Sequence, residues 1–154
     1  MQSVTTFLEN QLNYNAPQFV YNILYNKTPP IMGGRDVSHK TNIINNIPID
    51  EKIPKNAMLE LFKIKEIELR SSCQGQDKNH PTFVIFRLNK PHNESHVKSI
   101  VEKLNKYPDI KSGYNLGKQN KYRIGVTSDL WYDKDPKTFE KWWISLPKKI
   151  KESL

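Results

Sequence analysis

From Ile53 onward the apolar positions fall into short, regular patterns. In Pro54–Ile64, Met58, Leu61 and Phe62 share one helical face, with Asn56 as a possible N-cap. Glu66–Arg70 alternates polar and apolar residues, as a half-buried strand does. Ser71–Gly75 then opens a polar loop that runs to Pro81, and Thr82-Phe-Val-Ile-Phe-Arg-Leu88 is strongly β-prone. Val97, Ile100, Val101 and Leu104 follow the i, i+3, i+4, i+7 spacing of a helix. Asn93 or Ser95 can cap it, and Pro108 stops it. Ile110–Leu116 and Tyr122–Thr127 suit two strands joined around Gly117–Asn120. Asp135-Pro136 is an N-cap and first-turn pair for a helix burying Phe139, Trp142, Trp143 and Leu146. Pro147 is expected to kink or end that helix, leaving Lys148–Lys151 as a basic tail.

The order is therefore α-β-β-α-β-β-α. With short connections it predicts an α+β fold, a two-layer sandwich with a mainly antiparallel sheet of about four strands. A ferredoxin-like arrangement is one topology compatible with it. Residues 1–50 differ. They are rich in Asn and Pro and include Pro29-Pro30 and Gly33-Gly34, so they read as an irregular N-terminal arm before a domain at 51–154. Within the arm, Phe19, Val20, Ile23 and Leu24 have the spacing of a short docked helix. The stretch from Asn26 to Pro48 reads as irregular, because its apolar residues are too scattered for a core.

Composition and charge narrow the function. The chain has 154 residues, 36% of them hydrophobic and 26% charged, which allows one domain and an arm but not two cores. No apolar run is long enough to span a bilayer, and the start lacks the order of a secretory signal, so no membrane partner is expected. The lone Cys73 leaves no internal disulfide, which points to the cytoplasm or another reducing compartment. Five of the 24 Lys/Arg and five of the 16 Asp/Glu lie in residues 1–60. That stretch is neutral, and the net +8 belongs wholly to residues 61–154. Such asymmetry favours an anionic partner, nucleic acid or a nucleotide, for the C-terminal part.

Arg70-Ser-Ser-Cys-Gln-Gly75 is the most distinctive string. Small hydroxyls, a thiol and a glycine at a strand end leave approachable backbone N–H groups, which suits an anion or a phosphate. Arg70, Ser71, Ser72, Cys73, Gln74, Gly75 and His80 are the candidate ligand-binding residues. Cys73 has no catalytic signature around it, and catalysis is not expected; Arg70 and His80 are the cations nearest to it in sequence. Cys73, His80, His92 and His96 match no common zinc spacing, so no metal site is assigned. Lys118, Lys121, Tyr122 and Arg123 interleave bases with an aromatic ring, as nucleic-acid-binding surfaces do.

Ser71-Ser-Cys-Gln-Gly75, running into the strand Phe83–Phe86, resembles the Ser-Ser-Cys-Ser-Gly-Arg signature of the wybutosine-synthesising tRNA methyltransferase family. It is also similar to small phage or viral proteins with a Ser-Cys-Gln-Gly motif before a strand. The resemblance covers about 20 residues; Gln74 stands where the family has Ser, and Gln76 where it has Arg. It implies an α+β fold, a ligand-contact role for Ser71, Ser72, Cys73 and Gly75, and S-adenosylmethionine as cofactor if methyl transfer carried over.

Three readings follow. The first is a small intracellular binding protein, with a viral source among the options, that needs no cofactor and engages an anionic partner through its basic part and the Ser71–Gly75 loop. The second is a tRNA-modifying methyltransferase relative. The third is an assembly protein that self-associates or meets a protein partner through residues 1–50.

Overall fold

The computed structural model describes residues 39–154. The short helix expected around Phe19–Leu24, and most of the arm, lie outside the described residues. The described chain opens with a hairpin of β1 (Thr41–Ile44) and β2 (Ile47–Asp50). Next come α1 (Lys55–Phe62), β3 (Ile67–Cys73), β4 (Phe83–Leu88), α2 (Glu94–Leu104), β5 (Lys111–Leu116), β6 (Tyr122–Thr127) and α3 (Pro136–Ser153).

The hairpin replaces the irregular structure expected through Pro48. Asn45 and Asn46 both take positive φ, 53° and 62°, the left-handed pair that a tight two-residue hairpin requires and that Asn tolerates. Ile44 and Ile49 then turn into the core while Ile43 stays exposed. Four-residue strands carry too little alternation to stand out from an Asn-rich background, which is why the pattern was hidden.

Strands β3 to β6 form one antiparallel sheet in the order β3-β4-β6-β5. The α+β architecture with a four-stranded antiparallel sheet is thus as the sequence indicated. The topology is two hairpins joined by α2, with β4 and β5 running parallel on either side of β6. It holds a single split β–α–β unit where a ferredoxin-like fold has two.

One face of the sheet carries Val84, Phe86, Leu88, Tyr114, Ile124 and Val126 against the helices. Helix α2 brings Val97, Ile100, Val101 and Leu104, as its spacing predicts. Asn93 caps it by accepting the His96 N–H at 2.9 Å. Helix α3 contributes Phe139, Trp142, Trp143, Leu146 and Ile150, and Asp135 caps it by accepting the Thr138 N–H. Helix α1 adds Met58 and Leu61; its N-cap position is Pro54, not Asn56.

Pro147 does not end α3, which continues to Ser153. A proline removes one helical hydrogen bond and crowds the preceding turn, at a cost of about 3 kcal/mol. The apolar face here continues through Pro147 itself to Ile150, both buried, and burial of that face offsets the cost. Lys148–Lys151 is therefore the last part of a helix and not a tail.

Strand β3 also runs further than its alternation implies, through Ser71–Cys73. A bulge at Arg70 shifts the register between Leu69 and Ser71, so that Ser72 pairs with Val84 and Cys73 with Phe83. The bulge hides the strand, because the extra residue breaks period-two alternation. It also decides that Ser72 faces the helices and that Cys73 points to the opposite side of the sheet.

Candidate functional site

The end of β2 and the end of β3 meet where three reactive side chains converge. Asp50, the last residue of β2, accepts the backbone N–H of Gln74 on Oδ2 at 2.9 Å. The same oxygen lies 3.0 Å from Nδ1 of His39. Gln74 answers in the other direction, its Oε1 accepting the Lys52 N–H at 3.2 Å. These contacts clasp the hairpin to the main sheet.

The thiol of Cys73 lies in the clasp. Its Sγ is 3.9 Å from Nδ1 of His39, and the N–H of Gly75 points at it from 3.4 Å. Behind it, the Thr82 hydroxyl donates to the Cys73 carbonyl at 2.6 Å and accepts the indole N–H of Trp143 at 3.0 Å. Gly75 sits at φ +83°, and a Cβ there would lie 2.7 Å from the Thr82 nitrogen and 2.8 Å from the Trp131 Cβ. Only glycine fits both the backbone angle and the space. The Asp50 side chain is wholly buried and that of His39 is 13% exposed.

The candidate residues named from sequence divide. Cys73, Gln74 and Gly75 are in the cluster. Ser71 and Ser72 are sealed from solvent, and neither hydroxyl has a hydrogen-bond partner. The Arg70 guanidinium turns to Glu68 at 2.9 Å. Arg87 takes the same carboxylate at 2.8 Å, and these two guanidiniums hold the Glu68 carboxyl below the usual range, Arg87 most strongly. His80 is exposed and pairs with Asp77 at 3.1 Å; that contact and the Asn79 N–H lower the Asp77 carboxyl. The imidazole beside the thiol is thus His39, 34 residues upstream, and not His80. No local motif could have revealed this, since the pairing depends on the hairpin folding back onto β3.

Of the three histidines weighed as metal partners of Cys73, two have rings held by other groups. His92 accepts the Tyr122 N–H on Nε2 and donates from Nδ1 to the Lys90 carbonyl, His80 is held by Asp77, and His96 lies in the capped first turn of α2. Among the described residues, the group of three metal-ligating side chains whose donor atoms converge is His39, Asp50 and Cys73, all within 4.8 Å of one another.

Lys118, Lys121, Tyr122 and Arg123 do not share one face. The two lysines are exposed beside the β5–β6 turn. Tyr122 packs edge-on against Tyr114 and His92 on the helix side, and burial together with the nearby Glu94 raises its phenol. Arg123, one residue on, projects to the other side and binds Asn115 at 3.2 Å.

A second basic feature emerges only once α3 is seen to be continuous. Lys137, Lys141, Ile144, Lys148 and Lys151 are all exposed and fall within about 40° of one line along the helix. Beside the last three lies an open groove of about 560 Å³, whose α1 side supplies Lys63 and Lys65 together with Glu60 and Glu66. Ile144 is 62% exposed in the middle of the stripe.

In comparisons with known proteins, no family model, no curated protein and no solved structure matched this chain. No described helix is long and apolar enough to cross a membrane.

Proposed function

We propose that the protein binds a single-stranded nucleic acid through the solvent face of α3. The observation that supports this is the lysine stripe of Lys137, Lys141, Lys148 and Lys151, which runs for about 21 Å along a rigid helix. A set of ammonium groups fixed in a line suits a polyanion better than a lone anion, because each can displace a counterion at a separate phosphate. Exposed Ile144 gives a base an apolar surface at the centre of the line. The acids near the stripe are Glu60 and Glu66 across the groove and Glu140 and Glu152 on the helix, and Glu60 is already paired with Lys63 at 3.0 Å. Glu152 pairs with Lys148 at 3.9 Å, a surface pair weak enough for a phosphate to replace. Cys73, the single cysteine of the sequence, suits a reducing compartment, where such a partner would be met.

The methyltransferase reading fits the geometry less well. It places the cofactor on Ser71–Gly75, where both serines are closed to solvent. A calorimetric titration with S-adenosylmethionine that gave heat would restore it. An assembly role for residues 1–50 turns mostly on chain outside the described residues.

The test is anisotropy of a labelled single-stranded RNA at two or more salt concentrations. Four phosphate contacts give a slope of log K against log salt of about −2.8. The variant with all four lysines changed to Gln should lose most of that slope and most of the affinity. Binding that ignores salt, or that survives the four substitutions, would overturn the proposal.

A further inference from the structure

We infer that His39, Asp50 and Cys73 form a binding site for a divalent metal ion of the zinc class, independent of the basic stripe. The donor set itself is the first argument. A thiolate, an imidazole nitrogen and a carboxylate oxygen are the three donor types that Zn²⁺ takes from proteins, and three protein donors leave a fourth position for water or a ligand atom.

Convergence on one nitrogen is the second. In a thiol–imidazole–carboxylate relay, the nucleophile and the carboxylate must engage different ring nitrogens, so that one orients the imidazole while the other moves a proton. Here Asp50 Oδ2 and Cys73 Sγ both approach Nδ1 of His39, at 3.0 and 3.9 Å. One nitrogen cannot serve both partners of a relay. It can, with them, be one corner of a shared coordination polyhedron. Bond lengths of 2.0–2.3 Å in a tetrahedral site put donor atoms about 3.4–3.7 Å apart. The two distances to His39 Nδ1 bracket that range, and all three donors lie within 4.8 Å of one another, so shifts of up to about an ångström would admit the ion.

The buried carboxylate is the third argument. Asp50 is fully buried, and its Oδ1 has no hydrogen-bond partner. A buried carboxylate oxygen left so is costly, and a cation held by both oxygens of Asp50 would remove the cost. The surrounding N–H groups already stand where outer-sphere partners of a metal site stand: Gly75 N–H on the sulfur and Gln74 N–H on Asp50 Oδ2. Both orient the donors.

The experiment uses the full chain, with Co²⁺ as a spectroscopic probe and Zn²⁺ as competitor. One equivalent of Co²⁺ should bind with the thiolate-to-cobalt charge-transfer band, and Zn²⁺ should displace it. Cys73→Ser should abolish that band, while His39→Gln should weaken binding by about tenfold or more. Circular dichroism checks that each variant is folded; if Cys73→Ser is not, protection of the wild-type thiol from a disulfide reagent by Zn²⁺ provides the same information. Absence of the band, a band that persists in Cys73→Ser, or a thiol that reacts equally fast with and without Zn²⁺ would each overturn the inference.

Discussion

Replacing Gly75 by Ala should be among the most damaging single-methyl additions in this domain. Two costs combine. At φ +83° an L-residue is strained by about 1–2 kcal/mol. The added Cβ would also stand 2.7 Å from the Thr82 nitrogen, 2.8 Å from the Trp131 Cβ and 3.0 Å from the His80 oxygen. Two of these are backbone atoms. The Thr82 nitrogen cannot retreat freely, since it donates to the Leu130 carbonyl at 2.7 Å. Overpacking of this kind costs about 1–3 kcal/mol, giving roughly 3 kcal/mol in all. For a domain of this size that lowers Tm by about 10 °C. Urea unfolding followed by tryptophan fluorescence measures it directly, because Trp143 lies at the far end of the same hydrogen-bond chain. Gly117→Ala is the control. Its φ is an ordinary negative one, and the new Cβ would meet the Lys121 oxygen at 3.0 Å and the flexible stem of Arg123 at 3.3 Å. A cost of about 1 kcal/mol or less is expected there. Equal costs at the two glycines would refute the reasoning.

Three further outcomes are expected. Trp143→Phe keeps most of the buried ring but leaves the Thr82 hydroxyl without its donor, and should cost about 1–3 kcal/mol by thermal or urea unfolding; a cost under 0.5 would show that the indole N–H is not structural. Ser72→Ala removes a hydroxyl buried without a partner against Val84, and should leave stability unchanged or raise it, whereas a loss above about 1 kcal/mol would mean that the hydroxyl is satisfied. The Glu68 carboxyl is lowered by Arg87 and Arg70, so its contribution is present above the ordinary carboxyl pKa, near 4.3, and is lost as pH falls through the folded value. Glu68 is 39% exposed, so Glu68→Gln should cost only about 0.2–1 kcal/mol at neutral pH, and the gap to wild type should close in acid; a gap independent of pH would contradict the assignment.

What could be read from sequence was what local pattern encodes. Helix α2 was visible because its four buried positions recur at one face and Asn93 marks its start. Strand β4 was visible because Phe83–Leu88 is β-prone throughout. The misreadings arose where a distant contact outweighs a local rule. Pro147 is a helix breaker by local chemistry, yet it sits mid-helix because the apolar face of α3 continues to Ile150. Asn45-Asn46 looked like part of an irregular stretch until their left-handed geometry made them a hairpin turn. The site shows the same limit. Cys73, Gln74 and Gly75 could be singled out as unusual, but His39 and Asp50 gain meaning only when the hairpin closes on β3. The lysine stripe could not be drawn across Pro147 while the helix was expected to kink or end there.

The order β3-β4-β6-β5 also says how this chain must fold in time. Each half of the sheet is a hairpin of neighbours in sequence, β3 with β4 and β5 with β6, and can form early from short-range encounters. The two halves are joined only along β4 and β6, where Phe83 meets Thr127 and Arg87 meets Arg123 across roughly 40 residues that include α2. Closing a loop of that length costs about 3 kcal/mol of chain entropy before any pairing returns it. Helix α2 shortens the search, since it is strongly amphipathic and packs on β5 and β6. The slow step is then the meeting of the two hairpins along β4 and β6, with α2 already packed on one of them. Substitutions such as Val101→Ala should therefore retard refolding, and stopped-flow traces in which they accelerate only unfolding would show that the seam closes later than this.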